Sequence, residues 1–234
     1  FVSVPLAGLI SKKYADTLAQ QIRPDSARSA QTIKPGQPLP FESDQTTHYS
    51  VVDQAGNMVA VTYTLNTNFG TGIVAAGTGI LLNNEMDDFS AKPGVPNAYG
   101  LVGGAANAVA PGKRPLSSMT PTLVLKDQQP WLVTGSPGGA RIITTVLQQI
   151  VNGIDFGMNP AEAAAAVRFH HQWMPDELRV EKGFSPDTLH LLRQKGQNVV
   201  VKPAMGRTQT IQVQGQALWG YSDPRNPDGL TLGY

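Results

Sequence analysis

The stretch Gln45-Thr46-Thr47-His48-Tyr49-Ser50-Val51-Val52-Asp53 decides how this chain is read. It follows a segment carrying Pro24, Pro35, Pro38 and Pro40 with Gly36 and several serines, a composition that favours an extended, exposed linker. Residues 48–52 alternate in the two-residue period of a half-buried strand, and residues 59–65 repeat the pattern after Asp53-Gln54-Ala55-Gly56-Asn57. A β-hairpin is therefore predicted, with Thr46 at its entrance. A linker ending directly before a threonine suits a chain that cuts itself there. A hydroxyl of ordinary acidity is a poor nucleophile, and the α-amine of the same residue can serve as its base only once that residue begins a chain. Threonines also open strands simply because β-branched side chains fit a pleated sheet, so the tripeptide alone leaves both readings open.

Outward from this hairpin, residues 6–22 show three- and four-residue apolar spacing, which predicts one amphipathic helix ending before Pro24. A second hairpin is predicted from residues 122–125 and 131–134 around a five-residue turn. Ile142, Ile143, Val146, Leu147 and Ile150 mark a helix behind Gly138-Gly139. Asn159-Pro160 and Ser185-Pro186 are cap and first-turn pairs for two more helices, and residues 199–201 and 210–213 complete the expected strands. Hairpins, short helices and few β-α-β units indicate an α+β fold rather than a doubly wound sheet.

The 234 residues and 41% hydrophobic content suffice for a sizeable core. A formal net charge of +1 without a basic cluster argues against nucleic acid or anionic membrane surfaces as partners. No apolar stretch approaches the ~20 residues of a membrane span. Absence of cysteine removes disulfides, thiolate ligands and a cysteine nucleophile, and no zinc-type spacing is present. Adjacent His170 and His171 point more naturally to structural roles than to one metal ion. No strand-turn-helix signature supports a Ser-His-Asp triad.

Several blocks occur in a fixed order: residues 46–53, Thr62-Tyr63-Thr64-Leu65-Asn66-Thr67, Asn83-Asn84-Glu85-Met86-Asp87-Asp88-Phe89, Arg114-Pro115-Leu116-Ser117-Ser118-Met119-Thr120-Pro121 and Gly135-Ser136-Pro137-Gly138-Gly139. They continue into Arg168-Phe169-His170-His171-Gln172-Trp173 and Ser222-Asp223-Pro224-Arg225. Together they closely resemble the small, catalytic subunit of γ-glutamyltranspeptidase. The resemblance implies that residues 1–45 are the carboxyl end of a large subunit and that residues 46–234 are the small subunit released by cleavage between Gln45 and Thr46. It implies the four-layer αββα sandwich of N-terminal nucleophile hydrolases, incomplete in this chain because most of the large subunit is missing. Export to the periplasm or outside the cell is implied as well.

By the same resemblance Thr46 is the nucleophile of both self-cleavage and γ-glutamyl transfer, and Thr64 bonds its oxygen or amine. The amides of Gly138 and Gly139 bind the oxyanion, since glycine lets consecutive amides approach a substrate oxygen closely. Asp88 and Glu85 hold the substrate α-amino group, Ser117 and Ser118 donate to its α-carboxylate, and Asn66 completes the pocket. Residues 93–104 form a lid, with Tyr99 closing against Asn66. The family's carboxylate-binding arginine lies upstream, so Arg114 does not take its place. The implied activity is transfer from glutathione or other γ-glutamyl amides to water, amino acids or peptides, without cofactor or metal. The rivals are a glutaryl-removing β-lactam acylase of the same fold and an inactive binding protein derived from the family. Asp88 argues against the first, because glutaryl has no α-amine. Intact Thr46, Thr64 and Gly138-Gly139 argue against the second.

Overall fold

Ser11 breaks the predicted N-terminal helix in two. Its hydroxyl donates to the Gly8 carbonyl (2.8 Å) and accepts from the Tyr14 amide (3.2 Å), closing α1 (Leu6–Leu9) and capping α2 (Lys12–Ala19). Neither helix buries a residue. The computed structural model describes residues 4–33, 46–90, 92, 95, 103–173 and 175–234. Among those upstream of Thr46, only Ala30 in a 3-10 turn (Ala30–Thr32) is buried.

The first hairpin pairs β1 (Thr47–Val52) with β2 (Met58–Tyr63), with Thr47 opposite Tyr63 and His48 opposite Thr62. Asp53 holds its turn by accepting from the Asn57 amide and side chain at 2.8 and 2.7 Å. The second hairpin is longer than predicted, pairing β3 (Thr122–Lys126) with β4 (Gln129–Thr134). Its turn shrinks to Asp127-Gln128, both at positive φ (52° and 64°), the geometry that matches the twist of paired strands. Pro130 enters the strand opposite Leu125, where the register shifts and the missing amide is tolerated.

Next come α3 (Arg141–Ile154) and α4 (Pro160–Ala165), the latter opened by a capping box between Asn159 and Glu162. The remaining elements are β5 (Phe169–His170), β6 (Leu178–Glu181), α5 (Pro186–Gln194), β7 (Val199–Lys202), β8 (Gln209–Gln214) and β9 (Ala217–Ser222). β5, β6 and β9 were not anticipated from periodicity. The first is too short to show a period, and β9 carries Gly220, which lies against Thr231 where a side chain would collide.

An antiparallel sheet runs β3-β4-β8-β9, and a smaller one runs β5-β6-β7 with β6 and β7 parallel across α5. The first hairpin stacks on the larger sheet, where Ser50 donates to the Gln209 carbonyl (2.8 Å). α4 packs on β8 and β9, and α3 lies beside α4 and β5. Leu132, Val133, Ile142, Val146, Ala164 and Val180 form the core, each larger side chain contributing roughly 1.5–3 kcal/mol by burial. This is an α+β architecture, in which the described residues form a two-stranded, a four-stranded and a three-stranded sheet with helices packed on them. The outer face of the hairpin leaves Tyr49, Val51, Val59 and Tyr63 exposed.

Candidate active site

Thr46 lies one step before the Thr47–Tyr63 pair and Thr64 one step after it, so both threonines sit at the open end of the hairpin. The Thr64 hydroxyl accepts from the Asn66 amide (2.9 Å). Asn66 is buried at φ 75°, a left-handed conformation that asparagine tolerates, and its side-chain amide donates to the Asn84 carbonyl (3.0 Å). Asn84 accepts from the Thr67 amide (3.1 Å), and its own amide donates to the Leu65 carbonyl (3.1 Å). The segment after β2 is thereby fastened to the residue preceding the 3-10 turn Glu85–Asp88. Thr64, Asn66, Glu85 and Asp88 thus belong to one hydrogen-bonded unit.

Within that turn Glu85 and Asp88 hydrogen-bond to each other. Burial, then the bond to Asp88 and its negative charge, pushes Glu85 up to about 7. Asp88 is also raised, by burial first and by the charge of Asp87, against the lowering effect of the bond from Glu85. Below neutrality the pair therefore holds a proton between two carboxyl groups. Glu85 Oε1 is buried without a hydrogen-bond partner among the described residues. Such a pair is well suited to a cation, which would supply donors and relieve the repulsion.

Asn107 connects this turn to the serines. Its side-chain amide donates to the Asp88 carbonyl (2.7 Å) while its carbonyl oxygen accepts from the Leu116 amide (2.9 Å), one residue before Ser117. Ser117 is exposed and its hydroxyl accepts from the Met119 amide (3.2 Å), and the half-buried Ser118 gives its carbonyl to Thr120 (2.9 Å). Gln45 and Tyr99, with most of the predicted lid, lie outside the described residues.

The glycine loop is fixed from two sides. His48 is buried in front of Gly135, where an added Cβ would sit 2.2 Å from the imidazole. Its ring nitrogens engage Thr62 (2.8 Å) and Ser50 (3.1 Å), and burial lowers its pKa to about 4, so the ring is neutral at pH 7. Gly138 and Gly139 follow at φ 137° and 60°, three and four residues beyond Gly135, just before α3 begins at Arg141. The first of those angles is glycine territory and the second favours it, and the helix N-terminus adds a favourable field for negative charge.

Behind the loop, Gly206 approaches the place a Gly138 Cβ would occupy (3.7 Å), and the Arg207 amide donates to Ser136 Oγ (2.8 Å). This second loop is held by buried charges. Arg168 donates to the Met205 carbonyl (2.8 Å) and pairs with Asp223 (2.5 Å), while Glu181 accepts from the Met205 amide (2.7 Å) and pairs with Arg225 (2.5 Å). Burial alone would raise Asp223, but the Arg168 charge and several hydrogen bonds outweigh it and hold the carboxyl below its usual range. His170 is bound by Thr144 (2.7 Å) and Gln172 (2.9 Å), and His171 lies 3.4 Å from Asp176.

A threonine pair at a hairpin mouth, a glycine loop on a helix start and a half-buried acidic pair joined through Asn66 and Asn84 are the parts an acyl-transfer site needs. The family profile described as Gamma-glutamyltranspeptidase matches residues 1–232. The chain belongs to the γ-glutamyltranspeptidase family. It is 68% identical to the glutathione hydrolase proenzyme of Escherichia coli (strain K12) over 100% of its own length and 40% of that protein. It therefore spans about two fifths of the curated relative it matches. A solved mutant of the Helicobacter pylori γ-glutamyltranspeptidase superposes with a TM-score of 0.75 at 57% identity, covering 77% of this chain and 100% of that one. A cephalosporin acylase from Bacillus halodurans shares the fold with a TM-score of 0.79 at 29% identity, over 96% of this chain and 39% of that one.

Against the γ-glutamyltranspeptidase frame, the residues missed in sequence are those that position others. Asn84, Asn107 and His48 carry no local signal, because their partners are fixed only after the hairpin and the loops meet. The charged pairs Arg168–Asp223 and Glu181–Arg225 link residues 55 and 44 positions apart. The blocks holding Arg168, Asp223 and Arg225 were visible in the sequence, whereas Glu181 and the shared target at Met205 were not.

Proposed function

We propose that the protein containing this chain transfers γ-glutamyl groups from glutathione and other γ-glutamyl amides to water, amino acids or peptides, after cutting itself between Gln45 and Thr46. The observation that carries this reading is the unbroken path from the Thr46–Thr64 entrance through Asn66 and Asn84 to the acidic pair, and through Asn107 to Ser117. Thr46 Oγ attacks the Gln45 carbonyl, the acyl shift breaks the peptide C–N bond and frees the Thr46 amine, and water then hydrolyses the resulting ester, releasing the Gln45 carboxylate and restoring the Thr46 hydroxyl. That amine then takes the proton of Oγ as Oγ attacks the substrate γ-carbonyl. The amides of Gly138 and Gly139 stabilise the oxyanion, and loss of each donor would cost about 3 kcal/mol. The proton passes to the departing amine, and water or an acceptor amine releases the γ-glutamyl group. Glu85 and Asp88 hold the substrate ammonium, Ser117 and Ser118 serve its α-carboxylate beside an upstream arginine, and Tyr99 belongs to the lid. No step calls for a cofactor. A periplasmic or secreted setting fits the family. No helix among the described residues is long and apolar enough to cross a membrane.

The test is the covalent ester. Full-length protein quenched during turnover of a γ-glutamyl anilide should carry the acyl group on the peptide beginning at Thr46, read by mass spectrometry. Thr64→Val deletes one hydroxyl at nearly constant shape, and processing or turnover should slow by roughly tenfold, as for one lost hydrogen bond. Unchanged rates would return Thr64 to a plain strand-end role.

The acidic pair predicts a pH dependence. Glu85 is raised, so its charge is present above about 7 and is lost as pH falls through that value. Affinity for L-glutamate as a competitive inhibitor should weaken on acidification through neutrality, and Glu85→Gln should move that limb at least about one unit lower. The Thr46 amine titrates in both proteins, so the difference isolates Glu85. Identical profiles would remove Glu85 from ammonium binding.

A further inference from the structure

Among the described residues upstream of Thr46, Pro24, Ala27 and Ala30 are bonded to the body of the chain that follows. Helices α1 and α2 bury nothing, yet Ala30 is 0% exposed. Its amide donates to Asp176 Oδ2 (2.8 Å) and its carbonyl accepts from the Trp173 indole nitrogen (2.5 Å). Six residues earlier, the Pro24 carbonyl accepts from Lys195 Nζ (2.7 Å), and the Ala27 amide donates to the Lys195 carbonyl (2.5 Å). Every one of these bonds reaches the upstream segment through its backbone. The receptor therefore reads this segment by its backbone, across a loop and the start of a 3-10 turn, with a small side chain at one position.

The receptor side is preorganised. Trp173 sits at φ 75°, a conformation unfavourable for a large side chain, and its amide donates to His171 Nδ1 (3.0 Å). That bond makes Nδ1 the acceptor, which leaves the His171 proton on Nε2 facing Asp176 Oδ1 at 3.4 Å. The Asn198 side chain donates to the Asp176 carbonyl (3.0 Å). Asp176 thus presents its second oxygen to Ala30 from a fixed position. Strain at a residue that aims one donor at one backbone oxygen indicates binding rather than packing alone.

We propose that Trp173, Asp176 and Lys195 form a dock for residues 24–33. Before cleavage it tethers the linker that presents the Gln45–Thr46 bond, and after cleavage it becomes a contact between two separate polypeptides. This rests on the cleavage reading above. Before cleavage the tether leaves only residues 34–45 to bridge from the dock to Thr46, which raises the effective concentration of the scissile bond at the nucleophile. After cleavage the same bonds hold the new carboxyl-terminal tail through its backbone groups.

The experiment uses the full-length precursor with Trp173→Phe, which keeps the ring and deletes its donor, and Asp176→Ala. Self-cleavage is expected to slow about five- to thirtyfold, and the mature subunits to separate at lower urea, as expected for the loss of one or two hydrogen bonds. Turnover per processed site should stay within twofold of wild type. Cleavage and separation both unchanged in the two variants would overturn the dock. Should the wild-type protein not split at Gln45–Thr46, the cleavage reading fails by itself. Hydrogen exchange at the Ala27 and Ala30 amides then decides the dock: faster exchange in the variants supports it, and wild-type protection in both overturns it.

Discussion

Replacing Thr46 with alanine is expected to leave the full-length protein as a single uncut chain with γ-glutamyl activity lower by about four to six orders of magnitude. Both losses come from one atom, because the hydroxyl that would attack the Gln45 carbonyl is the one that would later attack substrate. At the same end of the hairpin, Thr64 is an inadequate substitute, since its amine is locked in a peptide and its hydroxyl already accepts from the Asn66 amide. A second experiment separates the two roles. A small subunit carrying Thr46→Ala as its first residue, co-expressed with the upstream polypeptide, bypasses processing, and this pair should assemble and remain inactive. The same pair with Thr46 retained should restore turnover. Intact-mass analysis and anilide hydrolysis read both results. A full-length Thr46→Ala chain that still splits at this bond would overturn self-cleavage by Thr46.

Periodicity located the parts of the site and could not assemble them. Both hairpins were legible because alternation and turn residues are local, as were the proline-led helices at Asn159 and Ser185, whose side chains do cap the first turns. The single helix expected over residues 6–22 failed for an equally local reason, the competing hydrogen bonds of Ser11. Glycines at 138 and 139 pointed to a special backbone, and their positive φ confirms that demand. What periodicity could not show was how the blocks meet. Asn66 reaches Asn84 across 18 positions, Asn107 reaches back 19 to Asp88, and His48 rests against Gly135. Such contacts follow from tertiary closure, and each uses a polar residue that would look ordinary in a loop or strand. The dock for Ala30 was hidden for the same reason, since Asp176 lies 146 positions away.

Asp88→Asn is expected to distinguish γ-glutamyl transfer from the glutaryl chemistry of the same fold. The carboxylate is partly buried beside Glu85 and its turn is held by Asn107, so an incoming ammonium would meet a desolvated, positioned partner. A charge-assisted bond in such a place contributes on the order of 1.5–3 kcal/mol, or roughly ten- to a hundredfold in kcat/KM. Asparagine keeps an acceptor and the shape while removing the charge. In full-length enzyme the γ-glutamyl anilide should therefore lose efficiency by about that factor. A matched glutaryl anilide brings no ammonium and leaves Asp88 unpaired in the parent enzyme, so the same substitution should cost it nothing or improve it. The ratio of the two losses is the informative quantity, because damage to the fold would lower both substrates together. Equal losses would assign the Asp88 side chain to supporting the turn it shares with Glu85, and the basis for reading the substrate α-amine would have to move elsewhere in the pocket.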